Sequence, residues 1–378
     1  MGNNLLRTLL GKKTLGALLL IMGAERALAD SVQYNIQDLG TLGGTQSFGL
    51  GINASGQVTG FAALHAFRNT NGGMTDLGTL GGTVSAGLGI NASGQVTGYA
   101  DTSGNAAQHA FLYNTNGGMT DLGTLGGTYS AGFGINASGQ VTGYAYTSGN
   151  AAYRAFLYTT NGGMTDLGTL GGSYSNGLGI NDSGQVTGTA YTIGNAAAHA
   201  FLYENGGMTD LGTLGGNYSV GYGINASGQV TGYADTSGNA AQHAFLYENG
   251  VMKDLGTLGG TYSLGSGVND SGQVVGQSGT TGNADSHAFV LSEGILKDLN
   301  ALLDSSSAMQ GWDLNAARGV NNAGQITGWG QVNGQTHAFL LTPDAPAAPL
   351  PSVFWEGLVL LGGFGVMQLG RRHTPRLA

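Results

Sequence analysis

The chain has 378 residues, 41% hydrophobic, with 73 glycines, no cysteine and charged residues at only 9%, far below the ~25% usual for globular domains. Between residues 30 and 343 only five basic residues stand against 18 acidic ones. A surface of that sign repels phosphate backbones and excludes nucleic acid as a partner. The missing cysteines exclude a disulfide framework, so stability must come from packing.

Residues 1–29 carry the pattern of a secretory signal peptide. Arg7, Lys12 and Lys13 form the basic lead, residues 15–24 are apolar, and Ala27-Leu28-Ala29 is a small-x-small site for signal peptidase. The apolar run is too short for a membrane span.

Residues 30–343 are a repeat. An Asp-Leu pair recurs at Asp38, Asp76, Asp121, Asp166, Asp210, Asp254 and Asp298, 38 residues apart at first and 44 or 45 thereafter. A period of about 40–50 residues is the mark of a propeller or a solenoid. The unit spanning residues 121–164 divides into four strand-sized pieces separated by turn residues. Piece A is the Gly-x-Gly-Ile-Asn run ending at Asn136. After the turn Asn-Ala-Ser-Gly comes piece B, Gln-Val-Thr-Gly-Tyr-Ala from Gln140. A Thr-Ser-Gly-Asn loop leads to piece C, Ala-Phe-Leu-Tyr from Ala155, and Asn-Gly-Gly leads to piece D, which starts at Met164 and runs through Asp-Leu-Gly-Thr-Leu. Asn and Gly tolerate the positive φ of tight turns, and Val, Ile, Thr, Tyr and Phe favour strands.

Four short antiparallel strands per unit describe a propeller blade. The region opens on a D piece (residues 32–42) and closes on a C piece (residues 337–341). The expected fold is therefore all-β: a seven-bladed β-propeller of four-stranded antiparallel blades, closed by the N-terminal strand, which would cover two exposed edges. A β-solenoid is the alternative. The seventh unit carries extra residues between Asp298 and Trp312. They predict a short helical turn with Trp312 covering the closure seam, in keeping with atypical terminal repeats; a ligand loop is the alternative reading.

Residues 344–352 form a Pro/Ala linker. Residues 353–378 form a C-terminal tail, with an apolar run over 353–369 ahead of Arg371 and Arg372, near the lower limit for a transmembrane helix. The arginines would hold its far end in the cytoplasm. Glu356 interrupts the run close to its outer end.

Few residues offer chemistry. His65, His109, His199, His243, His287 and His337 recur once per unit in piece C, with Arg154 in their place in the third. Separate blades cannot bring them within the ~2.1 Å of one ion that zinc ligation needs. They are expected to be structural donors to a backbone or carboxylate of a neighbouring blade, with the Asp-Leu aspartates as natural acceptors. Asn-Asp-Ser-Gly at Asn181 and Asn269 has too few oxygens for calcium. Glu204, Glu248 and Glu293 share one hairpin position in separate units, so they do not form the close carboxyl pair that glycoside hydrolysis needs. No catalytic residue, cofactor or metal is expected. One face invites binding: Tyr129, Tyr174, Tyr218 and Tyr262 fall in the D–A loops at one repeat position, beside Thr-Ser-Gly-Asn loops. Tyr with Asn, Ser and Gly suits sugars and adaptable protein contacts. Packing between blades is the competing role.

The His-Ala-Phe triplets at these six histidines, with Asn-x-x-Gly-Gln-[Val/Ile]-x-Gly from Asn53 onward, resemble the extracellular HAF-repeat family over residues 38–341. The C-terminus is similar to PEP-CTERM sorting tails in a Pro-Leu-Pro variant, through Pro349-Leu350-Pro351, Gly362-Gly363 and Arg371-Arg372. That resemblance implies cleavage near Pro349 and Pro351 by an exosortase-like enzyme of a Gram-negative bacterium. It also implies transient anchoring in the inner membrane and passage to the cell surface or matrix. The expected function is a non-catalytic repeat scaffold binding exopolysaccharide or surface proteins. The alternative is a polysaccharide-acting enzyme using the axial cavity, which would need close carboxylates there.

Overall fold

The computed structural model describes residues 32–344, apart from Asn71 and Glu293. The signal sequence with Ala27 and Ala29, and the tail with Pro349, Pro351, Arg371 and Arg372, lie outside the described residues. Among the described residues no helix is long and apolar enough to cross a membrane.

The protein is all-β and propeller-like. The third unit runs through strands Gly126–Ile135 (A), Val141–Thr147 (B), Tyr153–Thr159 (C) and Gly163–Asp166 (D), each antiparallel to the next. The same ladder recurs from the first unit, opening at Ser47–Ile52, to the sixth, opening at Gly259–Val268. The last group contains Asp313–Val320, Ile326–Val332 and Gln335–Pro343, and its fourth strand comes from the other end of the described chain: Tyr34–Asp38 pairs antiparallel with Gln335–Pro343, from Tyr34 opposite Pro343 to Asp38 opposite Phe339. No sheet closes on itself among the described residues. Neighbouring units meet through side chains and single-residue parallel bridges, such as Ala198 to Tyr218 and, between the first group and the last, Gln46 to Thr336.

Strand A is longer than the Gly-x-Gly-Ile-Asn run. It begins ten residues before the turn and includes the Gly-Gly-Thr-Tyr stretch expected to be loop. A register shift between Gly126 and Ser130 lets the outer half leave strand B. There the Thr128 N–H donates to Asn150 Oδ1 at 2.9 Å, and Tyr129 bridges Gln108 of the preceding unit in parallel. Tertiary partners thus extend a segment whose glycines alone disfavour a strand.

The core is divided into small clusters between units. Ala110 and Leu112 of the second unit pack with Ile135, Val141, Ala145 and Phe156 of the third. The phenylalanine of each strand C, from Phe67 to Phe339, is fully buried. In the last group the inserted segment forms a 3-10 turn, Leu299–Leu302, and a single helical turn, Ser305–Ala308. Asp304 caps the helical turn, and the hydrogen bonds it accepts, led by that from the Ser307 N–H, hold its carboxyl down at about 2. Ser307 Oγ accepts from the Ile36 N–H at 3.0 Å, and Trp312 packs edge-on against Phe339 at 6.2 Å. The insertion therefore shields the otherwise open side of the N-terminal strand.

The turn asparagines join the units. Asn181 Oδ1 accepts from the N–H groups of Ser183 and Gln185, an Asx turn. Its Nδ2 donates to Gln185 Oε1 and, at 3.0 Å, to the carbonyl of Asn225 in the next unit. Asn53, Asn91, Asn136, Asn225 and Asn269 each donate to the next asparagine's carbonyl in the same way. Asn321 donates to the Asn53 carbonyl at 3.0 Å, so the series returns to its start. Each of these asparagines is 6% exposed or less. Asn181→Ala should lower stability by about 2–4 kcal/mol, because it strips partners from several buried polar groups at once. Chemical denaturation measures it; a loss under about 1 kcal/mol would show that the series does not hold the units together.

Candidate functional site

The four repeat-position tyrosines lie in strand A, not in D–A loops: Tyr129, Tyr174, Tyr218 and Tyr262 sit within Gly126–Ile135, Gly171–Ile180, Gly215–Ile224 and Gly259–Val268. The cause is the outer extension of that strand. Tyr129 is 46% exposed, and the other three are partly buried.

Tyr129, Tyr174 and Tyr218 join larger aromatic groups, whereas Tyr262 meets no other ring among the described residues. Tyr129 meets Tyr146 edge-on at 5.8 Å, Tyr146 and Tyr144 both meet Tyr153, and Tyr153 crosses to Tyr174 of the next unit at 4.8 Å. Tyr174 then meets Tyr191 at 5.7 Å. A second group holds Tyr218, Tyr233 and Tyr222. The belt thus combines packing between units with an accessible edge, and offset or edge-on ring pairs of this kind are attractive. Burial pushes the phenols of Tyr144, Tyr153, Tyr218, Tyr222 and Tyr233 upward, reinforced at Tyr233 by Tyr218 and Tyr222. They stay neutral hydroxyl donors throughout the physiological range.

Tyr144, Tyr146, Tyr153, Tyr191 and Tyr233 were not singled out from the sequence. Tyr144 and Tyr146 carried a usable signal: spacing by two in a strand puts both on one face.

The channel end lined by strand A carries the Gly-Ile pairs, from Gly51-Ile52 to Gly319-Val320, around a cavity of about 180 Å³, with Arg318 beside it. Burial lowers the Arg318 pKa, partly offset by Tyr222. An adjoining cavity of about 270 Å³, which shares Ile52, Ile180 and Ile224 with the first, is lined by the asparagine turns with Asp182 and Asp270. Both aspartates are engaged across units: Asp182 accepts from the Ala137 N–H at 2.8 Å, and Asp270 from the Ala226 N–H and from Asn322 Nδ2. They staple adjacent turns together. Glu204 and Glu248 each accept from a glutamine of their own unit, Gln185 and Gln229, at 2.7 Å.

The triplet histidines face the Asp-Leu aspartates. His65–Asp76, His109–Asp121, His199–Asp210, His243–Asp254 and His287–Asp298 each join strands C and D of one unit through Nδ1 at 2.6–2.9 Å. His337 reaches Asp38 of the N-terminal strand at 2.8 Å. The acceptor belongs to the adjacent D strand of the histidine's own sheet, not to a neighbouring sheet as one expectation had it, because the C–D ladder sets the two side chains next to each other. The third unit breaks the pattern: Arg154 makes no ion pair with Asp166 among the described residues, and its Nε is buried without a partner. Asp166 keeps only the bond from the glycine two residues on, Gly168, which Asp76, Asp121, Asp210 and Asp254 also accept from theirs. The His–Asp pairs are partly exposed, so Asp121→Asn should cost less than about 1 kcal/mol, measured by thermal melting. A larger loss would mark the pair as a stronger clasp than its exposure allows.

No protein-family model and no curated protein matches the chain. Among solved structures it is similar to the β-propeller domain of the trilobed protease from Pyrococcus furiosus, with a TM-score of 0.50 at 9% identity over 85% of this chain and all of that one. It is also similar to the extracellular domain of a putative one component system from B. thetaiotaomicron, with a TM-score of 0.49 at 12% identity over 81% of this chain and 39% of that one. TolB from Acinetobacter baumannii gives 0.43 at 12% identity over 67% of this chain and 64% of its own. The chain therefore spans less than two thirds of the length of the last two. The first of these likenesses identifies the fold as propeller-like.

Proposed function

We propose that the chain is an exported, non-catalytic seven-bladed β-propeller that serves as a scaffold at the cell surface or in the extracellular matrix and binds glycan through its tyrosine belt. The observation that carries the reading is the run Tyr129–Tyr146–Tyr153–Tyr174–Tyr191, ring beside ring across two units with Tyr129 half exposed. Aromatic rings with an open edge and neutral hydroxyls suit the apolar faces and hydroxyl rims of sugars. Strands grouped in fours, with Tyr34–Asp38 completing the last group, support seven blades. The Gly-Ile lining and the backbone-engaged Asp182 and Asp270 support a scaffold over a polysaccharide-acting enzyme, which needs two carboxyls free to work as acid and base or nucleophile. Export rests on the signal pattern of residues 1–29, and surface sorting by an exosortase-like enzyme on the tail of residues 353–378.

The test is retention of the protein on exopolysaccharide. Changing Tyr174 and Tyr218 together to Ser should abolish retention while the fold, followed by circular dichroism, persists. Undiminished retention would remove the belt as the binding surface.

A further inference from the structure

The repeat departs from its own pattern twice at one place. Asp285, just after the 3-10 turn Thr281–Asn283, stands where four other units have Ala107, Ala152, Ala197 and Ala241. Asp313 opens the strand Asp313–Val320 at the register position held by Tyr129, Tyr174, Tyr218 and Tyr262 elsewhere: Tyr129 precedes the Ser130–Ala145 pair as Asp313 precedes Leu314–Gly330. Both new carboxylates converge on one imidazole, that of His287. One potential ligand atom from each of the three residues lies within 4.8 Å of the other two, and His287 Nε2 is 3.7 Å from Asp313 Oδ1.

The other side of the ring fixes its chemistry. His287 Nδ1 lies 2.6 Å from Asp298 Oδ2. An ionised carboxylate only accepts, so Nδ1 carries a proton, and an ion bound at Nε2, which faces Asp313, would take the place of the ring's second proton. That is the arrangement of a metal-binding histidine: Nδ1–H held by a carboxylate behind, Nε2 presented to the ion in front. Two ligand atoms about 2.0–2.2 Å from a tetrahedral zinc ion lie about 3.4 Å apart, a few tenths of an ångström from the distance observed here. Asp285 is exposed; one of its carboxylate oxygens accepts from the Ser286 N–H at 2.9 Å, which leaves the other for the set, while Asn315 Nδ2 donates to the Ser286 carbonyl at 3.4 Å and ties the two strands together.

We propose that Asp285, His287 and Asp313 form a site for a divalent transition ion of the zinc class at the junction of the sixth and seventh units, with Asp298 as the positioning residue behind the imidazole. One nitrogen and two carboxylate oxygens favour such an ion over calcium, which takes six to eight oxygens. The site clamps the strand Ser286–Ser292 to the strand Asp313–Val320, next to the inserted segment. Among the described residues, the five other histidines with an aspartate at Nδ1 make no second ion pair through Nε2, which supplies an internal control.

The experiment is a Co²⁺ titration of the full chain, read by ligand-field absorption in the visible and by displacement with Zn²⁺. One equivalent of Co²⁺ should give a band that Zn²⁺ removes. Asp313→Tyr and Asp285→Ala, which restore the residues of the other units, should each weaken binding at least tenfold. Asp298→Asn should weaken it roughly tenfold to a hundredfold. His243→Gln breaks the same kind of His–Asp pair where no second carboxylate faces the ring, and should leave the band unchanged. Absence of the band, its persistence in both Asp285→Ala and Asp313→Tyr, or equal loss in His243→Gln would overturn the proposal. Should Asp313→Tyr not fold, Asp285→Ala alone decides, since that residue is exposed.

Discussion

Deleting residues 32–38 should cost more than about 5 kcal/mol and drive the protein into larger associated species. Tyr34 and Ile36 are buried, at 2% and 5% exposure, in a cluster with Leu299, Leu303, Leu314, Phe339 and Leu341. Losing two such side chains removes about 2–5 kcal/mol each. Five paired residues of the ladder go with them, as do the Asp304 N–H bond to the Tyr34 carbonyl at 2.9 Å and the His337–Asp38 contact. The deletion also leaves Gln335–Pro343 as an unpaired edge above Phe339 and Leu341, and such an edge recruits other strands. Denaturant melting and size-exclusion chromatography check both effects, and a synthetic peptide of residues 32–38 should restore the elution position of the undeleted chain in trans. A linear stack predicts the opposite: loss of a terminal strand would fray one end and leave the main transition unchanged.

That strand was legible in the sequence because an unpaired D piece at one end matched a missing one at the other. The repeat was legible for a similar reason: Asn-Ala-Ser-Gly and its variants mark a turn in every unit by local chemistry alone. Contacts across units were not. Nothing in Asn181 reports that its Nδ2 reaches Asn225, since the partner is 44 residues away and becomes a neighbour only when the sheets stack. The outer half of strand A was missed because Gly126 and Gly127 look like loop, and what holds the stretch includes Asn150, 22 residues on, which takes the Thr128 N–H. Arg154 misled for the opposite reason. Its position implied the role of the histidine it replaces, but its side chain is longer and does not pair with Asp166. The belt was half legible: period-two tyrosines announce a shared face, whereas the Tyr153–Tyr174 contact needs two adjacent units.

The glycine of strand B gives the largest effect expected of a single substitution. Gly188→Ala should destabilise by about 3–5 kcal/mol, the far end of the range for point changes. Gly188 pairs with Gly177, next to the register shift between Gly177 and Gly179. A methyl built on it would overlap the Asn176 carbonyl and come within 3.0 Å of Gly177 Cα. Both obstacles are backbone, so no rotamer change relieves them, and the A–B ladder would have to open beside buried Val186 and Phe201. The same overlap recurs at Gly60, Gly98, Gly143, Gly232, Gly276 and Gly328, so each sheet depends on this close approach. Gly194 separates steric overlap from backbone strain. It has φ +69 with nothing within 4 Å of an added methyl, so Gly194→Ala should cost only about 1–2 kcal/mol, the price of a left-handed alanine. Equal losses at the two positions in urea melts would show that the tight A–B approach relaxes freely and that the glycine there is dispensable.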